Sequence, residues 1–532
     1  DGDHRERHFF LTRRSSDLRT EIDASGQYVS PGWIDMMDQS GSVLLRNPLA
    51  ENKLMMGVTT AIAGEGGTPV EASGIPGYFG TLERQGISLN FGTYFSETQA
   101  REEVLGESAR APTAAEVDRM RAVIDTAMRA GALGMTTALI YPPSSYATTE
   151  ELIAVGKAAA CRGGFYATHM RGEGKEVVQS VREAIEIGEK AGMPVEIFHL
   201  KVAYRPGWGV LMDSVRQVVD AARARGVDVA ADMYVYTAGG TGLEATIPSW
   251  AFEGGEDSLR ARLASPEIRA RLKREQKSGS PGWWNIIEAA GGWNGIVLGR
   301  ASNPANEKYV GKSLAEIGKA MGKDPADAAF DLVAQSKNRV MALYYMMSEQ
   351  DIETALRFPW TSIGSDAGAA ARPGEGDDLG LPHPRAFGNL VRVIAHWICG
   401  LEMRVVRTEN GCGGSSPGCI SNAAQSMLRP SSRGGVPVFR RPRANPIDSS
   451  VRESPIAGAS PTRPAGICFS PIWISPRKNV PVVSTTAAQA SSRPSANLTP
   501  QTRPLATTRS SASASNTCKL AVLRIAACIA AA

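Results

Sequence analysis

Two histidines at the ends of apolar segments are the first candidates for chemistry. His169 closes the segment GGFYATH, and His199 closes MPVEIFH 30 residues later. Imidazole is the commonest neutral metal ligand, and two imidazoles at the ends of neighbouring parallel strands would converge on one point. A lone histidine in such a place is more often a hydrogen-bonded core residue. The second histidine, together with Asp366 at the end of WTSIGSD, favours a metal site.

A third ligand is predicted at Glu65, in the turn GEGG that follows VTTAIAG. A carboxylate can bind zinc, and the glycines allow the backbone to approach the ion closely. Glu65 by itself fits a loop hydrogen-bond acceptor equally well. With Glu65, His169 and His199 as ligands, Asp366 would take a proton from the attacking water and return it to the leaving amine.

Two cations are candidates for binding a substrate carboxylate. Lys201 in FHLK lies two residues after His199 and shares its face, and Arg385 lies in LPHPR. Either could instead be a surface side chain whose aliphatic stem covers apolar neighbours. We interpret His383 and His396 as structural.

The order of segments between residues 22 and 403 predicts an α/β fold. Short β-rich segments alternate with amphipathic helices, a pattern typical of a parallel sheet. Eight such segments indicate a TIM-like (β/α)8 barrel, in which reactive groups lie where strands end and loops begin. The candidate strands are QYVSPGWIDM, VTTAIAG, LNFGTYF, LGMTTALI, GGFYATH, MPVEIFH, VDVAADMYVY and WTSIGSD.

Helix signals lie between the strands. Thr113 to Glu116 and Thr148 to Glu151 each have the spacing of a capping box. The helix between the two histidine strands has an inner stripe with helical spacing. That stripe consists of Val177, Val181, Ala184 and Gly188.

The distribution of charge divides the chain. Residues 404–532 contain 16 Lys plus Arg and three acids, whereas residues 1–403 contain 42 and 51. We predict a catalytic barrel over 22–403, with 250–336, which contains Trp283 and Trp284, as an elaboration over the barrel mouth. For 404–532 we expect an out-of-frame or disordered basic tail, and for 1–21 a non-native leader.

The tail admits one functional alternative, which is nucleic-acid binding through its basic residues. We favour no nucleic-acid partner, because Arg outnumbers Lys 14 to 2 among abundant Ser, Pro and Ala, as expected of GC-rich codons read out of register. The apolar run 520–532 is too short to cross a bilayer, so no membrane association is predicted. We expect a cytoplasmic or periplasmic protein of a bacterium.

Several longer segments carry a family resemblance over roughly residues 22–400. In consistent order they resemble the N-acyl-D-amino-acid deacylases (D-aminoacylases) of the amidohydrolase superfamily. They are YVSPGWID, GVTT, GALGMTTALIYPPSSYA, YATHMRGEG, FHLKVA, DMYVYTAGGTG, YYMMSEQDI, PWTSIGSDAG and LPHPRAFG.

The resemblance implies a TIM-like barrel with one tightly bound zinc ion and a small β-sandwich built from both chain ends, which we expect to be incomplete here. By motif, the histidine zinc ligands correspond to His169 and His199, and the catalytic aspartate to Asp366. The residues that bind the substrate carboxylate are implied to be Lys201, Tyr236 and Arg385.

Two departures from the family pattern concern the metal. Met37 and Gln39 occupy the places of a His-x-His pair, and Gly66 occupies the place of a zinc-binding cysteine. Because thioether and amide groups are poor zinc ligands, we expect a second metal position to be empty or weak, with Glu65 replacing the cysteine. The predicted function is zinc-dependent hydrolysis of N-acyl amino acids or a related small amide. The alternative is a catalytically impaired barrel that only binds a ligand.

Overall fold

The structure is a computed structural model that describes residues 31–336, 339–370 and 382–398. The predictions for 1–21, for 404–532 and for a β-sandwich built from the chain ends fall outside these ranges. In the part of the chain that is described, no helix combines the length and the apolar character needed to cross a membrane.

Strands and helices alternate along most of the described chain. The strands are β1 (Trp33–Asp38), β2 (Val58–Ala63), β3 (Asn90–Thr93), β4 (Phe95–Ser96), β5 (Gly134–Ala138), β6 (Phe165–His169), β7 (Val195–Ile197), β8 (Val229–Met233), β9 (Ala238–Gly242), β10 (Ile296–Arg300), β11 (Met341–Tyr345) and β12 (Thr361–Ile363). The helices are α1 (Glu51–Met55), α2 (Ile75–Gln85), α3 (Glu97–Leu105), α4 (Ala114–Ala130), α5 (Thr149–Ala160), α6 (Val177–Ala191), α7 (Leu211–Ala224), α8 (Gly255–Leu263), α9 (Pro266–Ser278), α10 (Ile286–Ala289), α11 (Leu314–Met321), α12 (Pro325–Ala334), α13 (Glu349–Leu356) and α14 (Arg385–Arg392), which continues as a π-helical segment, Val393–Ile398.

Eight parallel strand positions follow one another around a TIM-like barrel. β1, β2 and β3 form one ladder, and β4, β5, β6, β7, β8 and β12 form the next. Only Tyr94 separates β3 from β4, so these two short strands together occupy one of the eight positions. The chain around the end of β1 is hydrogen-bonded to the chain that follows β12. Gln39 N donates to Ala367 O over 3.2 Å, and Asp366 N donates to Met37 O over 2.8 Å. The predicted fold class is confirmed.

A buried lysine strengthens the junction between β1 and the chain after β12. Lys53 Nζ lies 2.6 Å from Asp38 Oδ2 and 2.9 Å from Asp35 Oδ2, and it donates to Ser365 Oγ over 2.7 Å. All three charged side chains are almost fully buried, so each needs its partners to offset lost hydration. This cluster holds the segment that precedes Asp366.

An apolar cluster fills part of the barrel interior below the strand ends. Tyr94, Phe165 and Phe198 pack together there, with ring centroids 5.3 Å and 5.7 Å from Tyr94. Met37 belongs to the same cluster and is 1% exposed. The residue at the first His-x-His place is therefore part of the core.

A small antiparallel sheet follows the order β10, β11, β9. The segment 250–336, predicted to elaborate the barrel mouth, contains β10 and helices α8 to α12. Trp284 from this segment lines a cavity at the ends of the barrel strands, which also contains His169 and His199.

The helix predictions are largely confirmed. Thr113 and Glu116 form a reciprocal capping box on α4, and the stripe of α6 is buried. Thr148 caps α5 by accepting from Glu151 N, but the reciprocal contact is missing. The Glu151 carboxylate instead pairs with buried Arg101, which explains why that capping-box prediction was half wrong.

Glu97, at the start of α3, gives a stability prediction. Its carboxylate is buried near the Arg101–Glu151 pair, with no hydrogen-bond partner for either oxygen in the described ranges. Burial and the nearby Glu151 charge raise the Glu97 pKa to about 8, although Arg101 opposes the shift. When the pKa of a carboxyl is higher in the folded state than in the unfolded state, the protein loses stability as pH rises from the lower pKa to the higher one.

We therefore expect Glu97→Gln to raise the free energy of unfolding at pH 8 by about 1–3 kcal/mol, with little change at pH 4. Urea unfolding of the two proteins at both pH values measures this difference. Glu103→Gln, on the exposed face of the same helix, is the matched control. Equal gains for the two variants would contradict the assignment to burial.

Candidate metal centre and active site

Three side chains from separate parts of the barrel meet at the strand ends. Glu65 lies in the turn after β2, His169 ends β6, and His199 follows β7 by two residues. Glu65 Oε1 lies 3.0 Å from His169 Nδ1 and 3.2 Å from His199 Nε2. One ligand atom from each residue fits within a span of 4.8 Å.

This donor set fits a zinc-sized ion. With bonds of about 2.0–2.1 Å, tetrahedral geometry separates neighbouring ligand atoms by about 3.3 Å. The two distances from Glu65 Oε1 are close to that separation. Two imidazole nitrogens and one carboxylate oxygen form a typical catalytic zinc set, which leaves a fourth position open.

His199 and Asp366 have unusual backbone conformations. Their φ angles are +38° and +46°, a region that side-chain-bearing residues seldom adopt. His199 N donates to Asp232 Oδ1 over 2.8 Å, which helps to hold the turn. The two residues lie two and three positions beyond their strands, so the prediction that they close the strands was slightly wrong.

Glu173, which the sequence analysis missed, lies behind the histidines. Its Oε1 is 2.6 Å from Lys201 Nζ and 3.1 Å from His199 Nδ1. Despite burial, the charges of Lys201 and the histidines hold the Glu173 pKa well below its usual range. Glu173 lies four residues after His169, in the loop that follows β6, and this spacing could have identified it in the sequence as a site residue.

The two histidines differ in proton affinity. Burial lowers the pKa of His169. Burial and Lys201 also act to lower the pKa of His199, but the carboxylates of Glu173 and Glu65 outweigh them and raise it to about 9. A metal ligand must be unprotonated, so binding at His199 displaces a proton near neutral pH.

Gln39 connects the ligand carboxylate to Asp366. Gln39 Nε2 donates to Glu65 Oε2 over 2.6 Å and to Asp366 Oδ1 over 3.3 Å. Arg385 Nη2 contacts Asp366 Oδ2 at 2.9 Å. Gln39 thus acts as a hydrogen-bond donor at the position where the family pattern has the second histidine of the His-x-His pair.

Two of the three predicted carboxylate-binding residues reach the site. Lys201 Nζ lies 2.8 Å from His199 Nδ1, and Arg385 lines the same cavity. Two Arg385 nitrogens, Nε and Nη1, are buried with no hydrogen-bond partner in the described part of the chain.

Tyr236 does not line this cavity. Its ring lies 5.5 Å from that of His383, with the Arg392 guanidinium 5.0 Å away on a ring face. Tyr234 lines the cavity instead, with Arg385 Cζ 4.4 Å from its ring centroid. Because β8 ends at Met233, strand alternation no longer places the two tyrosines on one face.

The cavity at the strand ends has a volume of about 710 Å3 and an excess of positive charge. Glu65, Glu173 and Asp366 each contact a positively charged or histidine side chain. Over residues 31–336, 339–370 and 382–398, neither Arg46 nor Arg300 forms an ion pair. The basic lining residues are Arg46, Lys201, Arg300, Arg339 and Arg385.

Comparisons with known proteins identify relatives of the whole barrel. No family model matches the chain. The chain is 30% identical over 399 residues to the D-aminoacylase of Alcaligenes xylosoxydans xylosoxydans, covering 71% of this chain and 70% of the relative. This chain belongs to the N-acyl-D-amino-acid deacylase family. The family predicted from the sequence is therefore confirmed.

Solved structures agree with this membership. The N-acyl-D-glutamate deacylase of Bordetella bronchiseptica, complexed with zinc and a phosphonate inhibitor, is 25% identical with a TM-score of 0.56, covering 71% of this chain and 72% of that one. A crystal structure of D-aminoacylase is 28% identical with a TM-score of 0.55, covering 73% and 74%. The deacylase fold therefore extends over most of the described residues.

Proposed function

We propose that this deacylase-family protein hydrolyses the amide bond of N-acyl amino acids, using one zinc ion bound by Glu65, His169 and His199. The observation that carries the proposal is the convergence of these ligands within 4.8 Å, beside Asp366, in a basic cavity. The proposed catalytic unit comprises residues 22–403.

The chain's own residues supply the proton transfers and the substrate contacts. When bound, zinc supplies Lewis-acid chemistry that polarises an amide carbonyl and lowers the pKa of water. Asp366 Oδ1, held less tightly than Oδ2, accepts a proton from water as the water oxygen bonds to the carbonyl carbon. Asp366 then protonates the nitrogen as the C–N bond breaks, giving a carboxylate and a free amino acid.

Arg385 and Lys201 orient the substrate carboxylate in this proposal. The two unpartnered nitrogens of Arg385 offer charge-assisted hydrogen bonds. Lys201 Nζ has three donors, of which Glu173 occupies one. A free carboxylate next to the scissile amide is thus a requirement of the site.

The alternative is a ligand-binding barrel without catalysis, which Met37, Gln39 and Gly66 favour because they replace three expected metal ligands. Purification after zinc-supplemented expression, followed by metal analysis and assays with N-acetyl-D- and N-acetyl-L-amino acids, decides between the two. We expect about one zinc per chain and chelator-sensitive hydrolysis. A folded, metal-free protein that binds substrate without hydrolysing it would establish the alternative.

Arg385→Met tests the substrate carboxylate site. We expect the preference for N-acetyl-amino acids over their carboxamides, measured as a ratio of kcat/KM values, to fall by about 10–100-fold, because a charge-assisted contact is lost. Zinc content should stay unchanged. Arg392→Met, outside the cavity, is the control, and an unaltered preference in Arg385→Met would remove this residue from substrate binding.

A further inference from the structure

A second cavity adjoins the first and has a volume of about 390 Å3. The two share a wall, since the same five residues line both: Gly66, Ala138, Ile140, Tyr141 and Arg339. Arg339 lies at this boundary, with Cζ 5.1 Å from the Tyr141 ring centroid and Nη2 donating to Thr241. Since Gly66 directly follows Glu65 in the chain, the second cavity begins beside the metal ligands.

The lining of the second cavity combines apolar side chains with one partly buried carboxylate, Glu244, and several exposed carboxylates. Ile247, Leu259 and Val333 are buried and contribute to the apolar part, together with the partly buried rings of Phe252 and Trp283. The exposed carboxylates that line the second cavity belong to Glu102, Glu107 and Glu256.

Charge sets the direction in which an N-acyl amino acid fits the two cavities. Besides Lys201 and Arg385, which each contact one carboxylate, the first cavity alone has Arg46 and Arg300, which form no ion pair in the described ranges, so it suits the substrate carboxylate. In the second cavity, Arg260 already pairs with Glu256 at 2.7 Å and Asp257 at 3.1 Å. An anionic group would be repelled by the carboxylates of this cavity, whereas an uncharged chain would remove apolar surface from water.

Gly66 lies at the boundary between the cavities, because it lines both. It follows the metal ligand Glu65 directly, and a Cβ atom built on Gly66 would have no neighbour within 4 Å. Gly66 lies where the family resemblance places a cysteine. The absence of a side chain at this position therefore leaves room beside the metal ligands for the chain attached to the carbonyl carbon.

We infer that the second cavity binds the acyl group, and that this protein prefers medium-length, uncharged aliphatic acyl chains over acetyl. This inference rests on the proposed deacylase function. The scissile carbonyl lies at Glu65, His169 and His199, the amino-acid carboxylate lies toward Arg385, and the acyl chain passes Gly66 toward Ile247.

The test measures kcat/KM for N-acetyl, N-butanoyl, N-hexanoyl and N-octanoyl derivatives of one amino acid. Burial of each added methylene is expected to raise kcat/KM by about two- to fourfold until the cavity is filled. Ala245→Phe, which narrows the cavity, should remove most of this increase and leave N-acetyl turnover near the wild-type value. Phe252→Ala, a second variant that widens the cavity, should weaken the dependence on chain length.

Val210→Phe is the matched control, because Val210 is 62% exposed and lies outside both cavities. A flat chain-length profile in the wild type, or one that Ala245→Phe and Phe252→Ala both leave unchanged, would overturn the inference. If no substrate is hydrolysed, the proposed function fails. Calorimetric binding of N-octanoyl and N-acetyl amino acids to the wild type and Ala245→Phe then tests the cavity separately, and equal affinities would overturn the assignment.

Discussion

Glu65→Gln is expected to lose stoichiometric zinc and to lower kcat/KM by about 1000-fold or more, because an uncharged amide is a poor substitute for a carboxylate ligand. Glu65 Oε1 is the atom that lies within 3.2 Å of both histidine nitrogens, so its removal leaves two protein ligands. Metal analysis after dialysis and steady-state assays give the two measurements. Gln retains the length of the side chain, so its packing and its neighbour Gln39 are disturbed little.

A rescue experiment separates loss of a ligand from loss of fold. The double variant Glu65→Asn with Gly66→Cys removes the Glu65 carboxylate and places a thiol where the family resemblance puts a zinc-binding cysteine, and a Cβ on Gly66 meets no atom within 4 Å. We expect zinc binding to return, since a thiolate is a strong zinc ligand. Full zinc and full activity in Glu65→Gln alone would show that Glu65 is not a ligand, whatever the double variant does.

The convergence of Glu65, His169 and His199 was predictable from a single physical rule. Carboxyl ends of parallel barrel strands open on one face, so polar residues that follow apolar segments meet there. The rule requires only that the strands be recognised, and their apolar runs are distinctive. A shift of two or three residues at a strand end, as for His199 and Asp366, leaves the face unchanged.

Contacts made by loops were not predictable in this way. Glu173 reaches Lys201 and His199 through a turn whose path depends on tertiary packing. Tyr236 was assigned by motif, but the end of β8 at Met233 directs Tyr234 into the cavity instead. Gln39 was recognised as a departure from the family, yet its bonds to two carboxylates depend on distances that only the fold supplies.

Asp366→Asn is expected to lower kcat by about 1000-fold or more while zinc content stays near that of the wild type, because an amide cannot accept the proton that the mechanism requires. Asparagine is the informative replacement at this position. It tolerates the positive φ of +46° better than most residues, so the turn after β12 should be preserved. The assay is single-turnover hydrolysis of an N-acyl amino acid, with zinc measured in the same preparation.

Asp366→Asn also distinguishes proton transfer from electrostatic support of Arg385. Asp366 Oδ2 contacts Arg385 Nη2 at 2.9 Å, so a lost ion pair alone would change substrate binding and appear mainly in KM. Loss of proton transfer would appear in kcat, and Arg385→Met supplies the comparison for the binding effect. If Asp366→Asn retains the wild-type kcat and changes only KM, the proton acceptor must be another group, and Asp366 is reduced to positioning Arg385.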